Sequence, residues 1–362
     1  FNTVTAITLP YLAKPLVSSV FTVFTLVATD YGIPLAIGGK TTTLAVMMFQ
    51  AVNGEFNFGK GSIIGLFLLI PAVITFVCNT LLKRNSKLSY VTRPFVLKKN
   101  GLRDSAAYSI CSIVVLSMLV LFGTFFLIAF SAQYPSNITF SFKHISNVIA
   151  KKGDVYLGNS LLIAMFVSVI GVSVAFITAY MTARVPSKLS GILHLFSITS
   201  LAIPGLVLGI SYCMTFNNSF IYGTMAILIL ANIMHFFASP YQMMYNSLSK
   251  MNENLENVGD TLGISRIRML IDVIIPQCRA TMVEMFSYFF VNSMMTISAV
   301  SFLFKPSTKP LSLLITQFRD QAALEAAAIV ALIILFVNVL IKTLVHVINK
   351  RLTKTPRPNP NN

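Results

Sequence analysis

Ser249-Lys250-Met251-Asn252-Glu253-Asn254-Leu255-Glu256-Asn257-Val258-Gly259-Asp260-Thr261-Leu262-Gly263-Ile264-Ser265-Arg266 is the stretch whose reading decides the fold, and it runs on through Val273-Ile274-Ile275 to Pro276. Leu255, Val258 and Leu262 recur at steps of three and four, which predicts one face of a short helix. Ile267, Leu270, Ile271 and Ile274 predict a second. Gly263 lies between them, where the residue after a helix takes a left-handed conformation that only glycine adopts freely. Ser265 is placed to accept hydrogen bonds from the free N–H groups that open the second helix. The stretch is thus a helix–glycine–helix elbow, amphipathic and too polar to cross a bilayer. It suits docking to a soluble partner. The alternative is an interfacial helix lying on lipid, but Glu253, Glu256 and Asp260 would be repelled by an anionic membrane surface.

On either side of the elbow the chain is strongly apolar. Of its 362 residues 55% are hydrophobic and only 10% charged, with a mean hydropathy of +0.77; soluble domains carry roughly a quarter charged residues. A water-soluble enzyme, a nucleic-acid-binding protein and a disulfide-stapled secreted domain are excluded, and an integral membrane protein remains. Eight stretches are long enough to cross: 14–36, 62–82, 106–131, 158–183, 190–215, 219–239, 280–304 and 323–348. Of the 27 Lys and Arg residues, 19 fall in one set of loops and 8 in the other. The positive-inside rule places the richer set, the elbow and both ends of the chain in the cytosol. The net charge of +16 therefore needs no nucleic-acid partner. Cys78, Cys111, Cys213 and Cys278 lack CxxC spacing or a histidine cluster, so no disulfide framework, zinc site or other cofactor is expected.

The ending of the elbow occurs twice. Ile7-Thr8-Leu9-Pro10 and Val273-Ile274-Ile275-Pro276 each precede a membrane span on the same side, 266 residues apart. This is a parallel repeat. It predicts four parts: 1–82, the last two spans of an incomplete first half; 83–105, a basic linker; 106–350, a complete six-span second half; and 351–362, a tail. The chain opens on Phe1 and is expected to be a fragment of a longer protein.

The elbow resembles the EAA loop of binding-protein-dependent ABC importer permeases of the type I fold. The family pattern is E-A-A, three residues, Gly, nine residues, I-x-L-P. Gly263 stands at the glycine, and Val273, Ile275 and Pro276 form the ending. Asn257, Val258 and Gly259 occupy the E-A-A positions, with Glu256 one place early, which leaves open which acid takes the glutamate's role. Ile7, Leu9 and Pro10 look like the tail of a first such loop. Asn159-Ser160-Leu161-Leu162-Ile163-Ala164 and Leu201-Ala202-Ile203-Pro204-Gly205-Leu206-Val207-Leu208-Gly209 are also similar to the family's spans. The resemblance implies an all-α permease of a bacterial inner membrane whose loops, through Glu256, Asn257, Gly259, Gly263, Ser265, Arg266, Pro276 and Pro10, dock on a dimer of cytosolic ABC ATPases. It implies an external binding protein that delivers the substrate. Within the family, Thr29-Asp30-Tyr31-Gly32-Ile33-Pro34 with Ile37-Gly38-Gly39 is similar to fused permeases for 2-aminoethylphosphonate and ferric iron. The first is preferred; polyamine, thiamine or sulfate are alternatives.

Other residues carry two readings each. Gly38-Gly39-Lys40-Thr41 ends like a phosphate-binding loop, but Pro34 stands where its first glycine belongs, so the energy must come from another subunit. Asp30, where the first span breaks, either lines a substrate path or caps a helix. Pro204, Gly205 and Gly209 give either close helix packing or a pivot beside the path. Asn292, Ser293, Thr296 and Ser298 either line the path or bond neighbouring helices. Glu284 is expected to pair with a residue such as Arg279, and His194 and His235 to serve packing. No nucleophile–base pair or paired carboxylates suggest catalysis. An ion-driven secondary transporter, the rival class, would show inverted repeats or paired intramembrane charges.

Overall fold

In the computed structural model, residues 5, 9–38, 41–82, 100–185, 187–252 and 254–353 are described. Ile7, Gly39, Lys40, most of the linker (83–99), Glu253 and the tail from 354 lie outside the described residues, as does the side chain of Pro10. The chain is a bundle of helices. Its first part holds α1 (Leu9–Thr29), the short α2 (Gly32–Ile37), α3 (Leu44–Asn53) and α4 (Phe58–Leu82). The second begins with α5 (Gly101–Phe130), a two-strand hairpin of β1 (Ser131–Gln133) and β2 (Asn137–Phe140), α6 (Lys143–Ala150) and α7 (Gly153–Arg184). There follow α8 (Lys188–Thr199), α9 (Gly205–Phe216), α10 (Met225–Phe236) and α11 (Ala238–Leu248). The elbow is α12 (Leu255–Thr261) and α13 (Arg266–Met269), and α14 (Ile275–Met295), α15 (Ser312–Asp320) and α16 (Leu324–Thr353) complete the chain.

Eight full spans are not what the helices provide. Among the described residues three helices, α5, α7 and α16, are long and apolar enough to cross a membrane, or four spans if α10 and α11, bent by 54°, count as one. The expected span 190–215 is broken into α8 and α9 by a 3-10 turn at Ser200–Ala202 and by Pro204, whose ring removes a hydrogen bond and clashes with the preceding turn. The span expected at 219–239 starts later, at Met225, and bends at Phe237. The expected span 280–304 stops at Met295, before a 3-10 turn at Ser298–Val300. The stretch 132–157, between the expected spans 106–131 and 158–183, holds most of the hairpin, α6 and the start of α7.

The surface confirms the solvent. All but one of the described residues of α5 lie outside the core, Ala129 being its buried residue, and Val20, Phe67, Phe166 and Phe336 are exposed on other helices. Such a belt would aggregate in water and is at home in hydrocarbon. The interior is built around α7 and α14, which pack closely where Gly171 faces Phe289; a Cβ on Gly171 would come within 2.9 Å of the phenyl ring.

The sequence repeat is visible in the helices. Shifted by 266 residues, α1 matches α14 at both ends, and the first residue of α4 matches the first of α16. A short helix, α3 or α15, precedes the long one in each case. In both copies the long helix packs on the other two.

Candidate functional site

The elbow forms as its sequence predicts. Gly263 has φ +71°, and the N–H of Ile264 donates to Gly259 O at 2.9 Å while that of Gly263 donates to Asp260 O at 3.2 Å. These two bonds close α12 with a left-handed cap. Ser265 Oγ accepts from the Arg268 N–H at 3.4 Å, and Pro276 stands in the first turn of α14. Gly259 is buried, and a Cβ there would collide with Met269 Cε, so its missing side chain lets the two short helices meet. Arg266 pairs with Asp260 at 3.4 Å in solvent, and Asn257 is exposed.

The predicted apolar faces divide in two. Ile274 is buried and Leu255 and Leu270 half-buried, which seats the elbow on the bundle. Val258, Leu262, Ile267 and Ile271 are exposed, at 53%, 69%, 72% and 56%, and form an apolar ridge without a covering element among the described residues.

Glu256 does not face outward. Arg184, the last residue of α7, donates from Nε to Glu256 Oε1 at 2.8 Å and from a terminal nitrogen to Glu256 Oε2. The same guanidinium donates to Asn252 O at 2.7 Å and Met251 O at 3.3 Å. The Arg184 side chain is 4% exposed and that of Glu256 16%. Burial alone would raise the Glu256 carboxyl, but the hydrogen bonds and charge of Arg184 outweigh it and hold the group below its ordinary value. Reading Arg184 only as a topological charge missed this role; nothing in its local sequence signals it.

At the opposite end of α14 lies a cavity of about 770 Å³. All five pathway candidates, Asp30, Pro204, Gly205, Asn292 and Thr296, line it. Asp30 terminates α1 as expected, and its carboxylate accepts from the N–H groups of Gly32 (3.1 Å) and Ile33 (3.4 Å), so it caps α2 and also lines the cavity. Gly205 touches the turn after α14: a Cβ there would lie 2.3 Å from Ser298 Oγ and 3.1 Å from His235 Cε1. Asn292 donates to Tyr288 O in its own helix at 2.7 Å, and Thr296 O accepts from Ser312 Oγ at 2.7 Å. Tyr31 OH meets Ser301 Oγ at 3.3 Å, joining the two repeats.

Sequence reasoning missed several lining residues, among them Thr25, Tyr31, Tyr288, Thr316 and Arg319. His235, read as a packing residue, lines the cavity as well, and its buried Nδ1 is unbonded. His194 does pack, bonded to Tyr241 and against Tyr245. The expected partner of Glu284 is corrected: Asn349 donates to it at 2.6 Å, while Arg279 donates to Leu352 O.

In the repeat frame Leu26, Asp30, Tyr31 and Gly32 correspond to Asn292, Thr296, Ile297 and Ser298. Every member of these pairs lines the cavity, so it lies between the equivalent ends of α1 and α14.

The family of binding-protein-dependent transport system inner membrane components matches residues 171–354. The chain belongs to this family. As an inner membrane component it is a multi-pass protein of a bacterial inner membrane. A putative ferric transport system permease protein, FbpB 1, of Haemophilus influenzae is 24% identical over 322 residues, 85% of this chain and 51% of that protein. The ferric transport system permease protein FbpB of Actinobacillus pleuropneumoniae is 23% identical, over 85% and 47%. This inner membrane component thus spans about half the length of the curated relatives it matches. Among solved structures it superposes on a bacterial ABC transporter involved in the import of the acidic polysaccharide alginate, with a TM-score of 0.58, 15% identity and coverage of 70% of this chain and 97% of the other. A second structure of an alginate ABC transporter, in complex with an alginate pentasaccharide-bound periplasmic protein, gives a TM-score of 0.57 at 16% identity, with coverage of 70% and 96%. The fold is that of ABC importer permeases.

Proposed function

We propose that this chain forms the membrane pathway of an ATP-driven importer for ferric iron. The observation that carries the pathway reading is the cavity between equivalent ends of the repeated helices, lined by Asp30, Asn292, Thr296 and Tyr288 within an otherwise apolar bundle. Polar and ionisable side chains are expensive at membrane depth and gather where a polar cargo passes. Two relatives named for ferric transport support iron. They favour it over the 2-aminoethylphosphonate preferred from sequence.

In this reading the elbow faces the cytosol and its apolar ridge, Val258, Leu262, Ile267 and Ile271, seats in a groove on an ATPase subunit. Asn257, Gly259, Gly263, Ser265, Arg266 and Pro276 shape that lever, and Glu256 fixes it to α7. Pro10 ends the equivalent loop of the first half, so one fused chain, with 1–82 closing its first half and 106–350 forming its second, would meet two ATPases. Closure of the ATPase dimer on ATP tilts the elbows and with them α1 and α14, which opens the cavity to a binding protein on the far side. Pro204 and Gly205, where α8 breaks into α9, allow one wall to move.

The test is uptake of radioactive ferric iron by cells with and without the full-length gene, before and after ATP depletion. Loss of ATP-dependent iron uptake with the gene supports the reading. Loss of phosphonate uptake instead keeps the importer and overturns the substrate. Gene-dependent uptake that survives ATP depletion overturns the importer.

A further inference from the structure

Part of the pathway cavity is lined by side chains whose polar atoms the protein leaves unused. His235 stands in the last turn of α10. Its Nδ1 is enclosed without a hydrogen-bond partner, and its Nε2, which is not enclosed, makes no hydrogen bond among the described residues either. Tyr288 of α14 lines the same cavity, and its hydroxyl is likewise unbonded among the described residues. Asn292, one turn further along α14, donates from its amide nitrogen to Tyr288 O at 2.7 Å, which leaves the carboxamide oxygen without a protein partner. Ser298 Oγ, in the turn after α14, has none among the described residues.

Two contacts bring these groups together. The Phe236 and Tyr288 rings meet edge to face with centroids 6.5 Å apart, so the end of α10 faces α14 at Tyr288. At Gly205 a Cβ would touch both Ser298 Oγ and, at 3.1 Å, His235 Cε1. An imidazole, a phenol, a carboxamide oxygen and a hydroxyl thus offer lone pairs to one cavity, and the Asp30 carboxylate adds a negative charge to it. Arg319, the cation of the lining, is held by Asp320, from Nε to Oδ1 at 3.1 Å. Lone pairs in this number receive a cation. Imidazole and phenolate are both established ligands of iron.

We infer that His235 and Tyr288 coordinate the ferric ion as it passes, Asn292 and Ser298 holding the water or residual ligands that it carries. With the imidazole proton on the enclosed Nδ1, Nε2 presents its lone pair to the cavity. A hydroxide on the incoming iron takes the Tyr288 phenol proton and leaves as water while the Fe–O bond to the phenolate forms. The iron stays ferric throughout. The site is built to be weak. A histidine ligand without a hydrogen-bond partner for its other nitrogen loses about 10–100-fold in metal affinity, and Nδ1 has none. Among the described residues no three His, Cys, Asp or Glu side chains gather into a cage. Few donors suit an ion that must leave as readily as it enters.

This inference deepens the iron reading and rests on it. The test titrates the purified full-length protein in lipid nanodiscs with ferric nitrilotriacetate, a chelate that leaves part of the coordination sphere open. Phenolate bound to ferric iron gives a visible charge-transfer band, which wild type should show. Tyr288→Phe, which removes only the hydroxyl, should abolish the band. Tyr212→Phe, outside the cavity lining, should retain it. His235→Gln should move the band and weaken the apparent affinity at least tenfold. No band in wild type, a band that survives Tyr288→Phe, or equal affinity and an unmoved band in His235→Gln would each overturn the proposal. Uptake by cells separates this site from the cargo. Gene-dependent iron uptake by a protein that shows no band overturns the site and leaves the cargo, whereas a Tyr288-dependent band without iron uptake faults the cargo and leaves the site.

Discussion

Arg184 ends α7 by satisfying one carboxylate and two backbone carbonyls of the segment that leads into the elbow. A buried guanidinium in this setting is a mechanical joint. Removing one partner of a buried pair strands the other, at about 3–5 kcal/mol, so Arg184→Ala should free α12 from the bundle. Hydrogen exchange of the 252–262 amides should then rise at least tenfold, with α7 unchanged. Unaltered exchange there would refute the joint. Because the Glu256 carboxyl is held below its ordinary value of 4.5, the joint's contribution is complete above that pH and is lost as acid carries the pH below it. Elbow protection in the native protein should accordingly fall only on acidification past that value, and the Arg184→Ala protein should show no such step. Gly263 makes a smaller case. At φ +71° an alanine costs about 1 kcal/mol, whereas Gly263→Pro removes the N–H that closes α12 as well. Exchange at Ile264 should rank wild type, alanine, proline in ascending order; equal rates would show that the cap is immaterial.

At the scale of elements, much of the architecture could be read directly. The glycine, serine and proline of the elbow act through local backbone preference, which is why Gly263, Ser265 and Pro276 were legible. Where the chain breaks at Asp30 was legible for the same reason. The count of spans was not, because apolar runs that include a proline or a polar residue can bend and split; α8, α9, α10 and α11 do so. Nor could one sequence reveal Arg184 on Glu256, or His235 beside Gly205, since these meet only through tertiary packing. The Gly205 contact yields a prediction about the broken span. A Cβ there meets Ser298 and His235, and overpacking of this kind costs about 1–3 kcal/mol. Gly205→Val should reduce uptake at least tenfold while the protein still inserts, whereas Gly191→Ala, which has open space, should reduce neither. Full uptake by Gly205→Val would remove this packing from the mechanism.

For the molecule as a whole, the proposal needs the elbow on the ATP side of the membrane and the β1–β2 hairpin on the other. The 19-to-8 division of Lys and Arg argues for that orientation, and the bundle separates the same two regions: α7 begins just after the hairpin and α6, and ends at the Arg184 joint. A 32-residue helix at 1.5 Å per residue spans about 48 Å, longer than the ~30 Å hydrocarbon core. It is therefore long enough for its two ends to stand in different aqueous compartments. Single cysteines make this testable in a protein whose four native cysteines have been replaced. Asn257→Cys, in the exposed elbow, should react with a membrane-impermeant maleimide only in inside-out vesicles. Ser136→Cys, in the exposed turn of the hairpin, should react only in intact cells. The reverse pattern would invert the molecule, place the apolar ridge of Val258, Leu262, Ile267 and Ile271 out of reach of any ATPase, and leave the coupling mechanism without its contact.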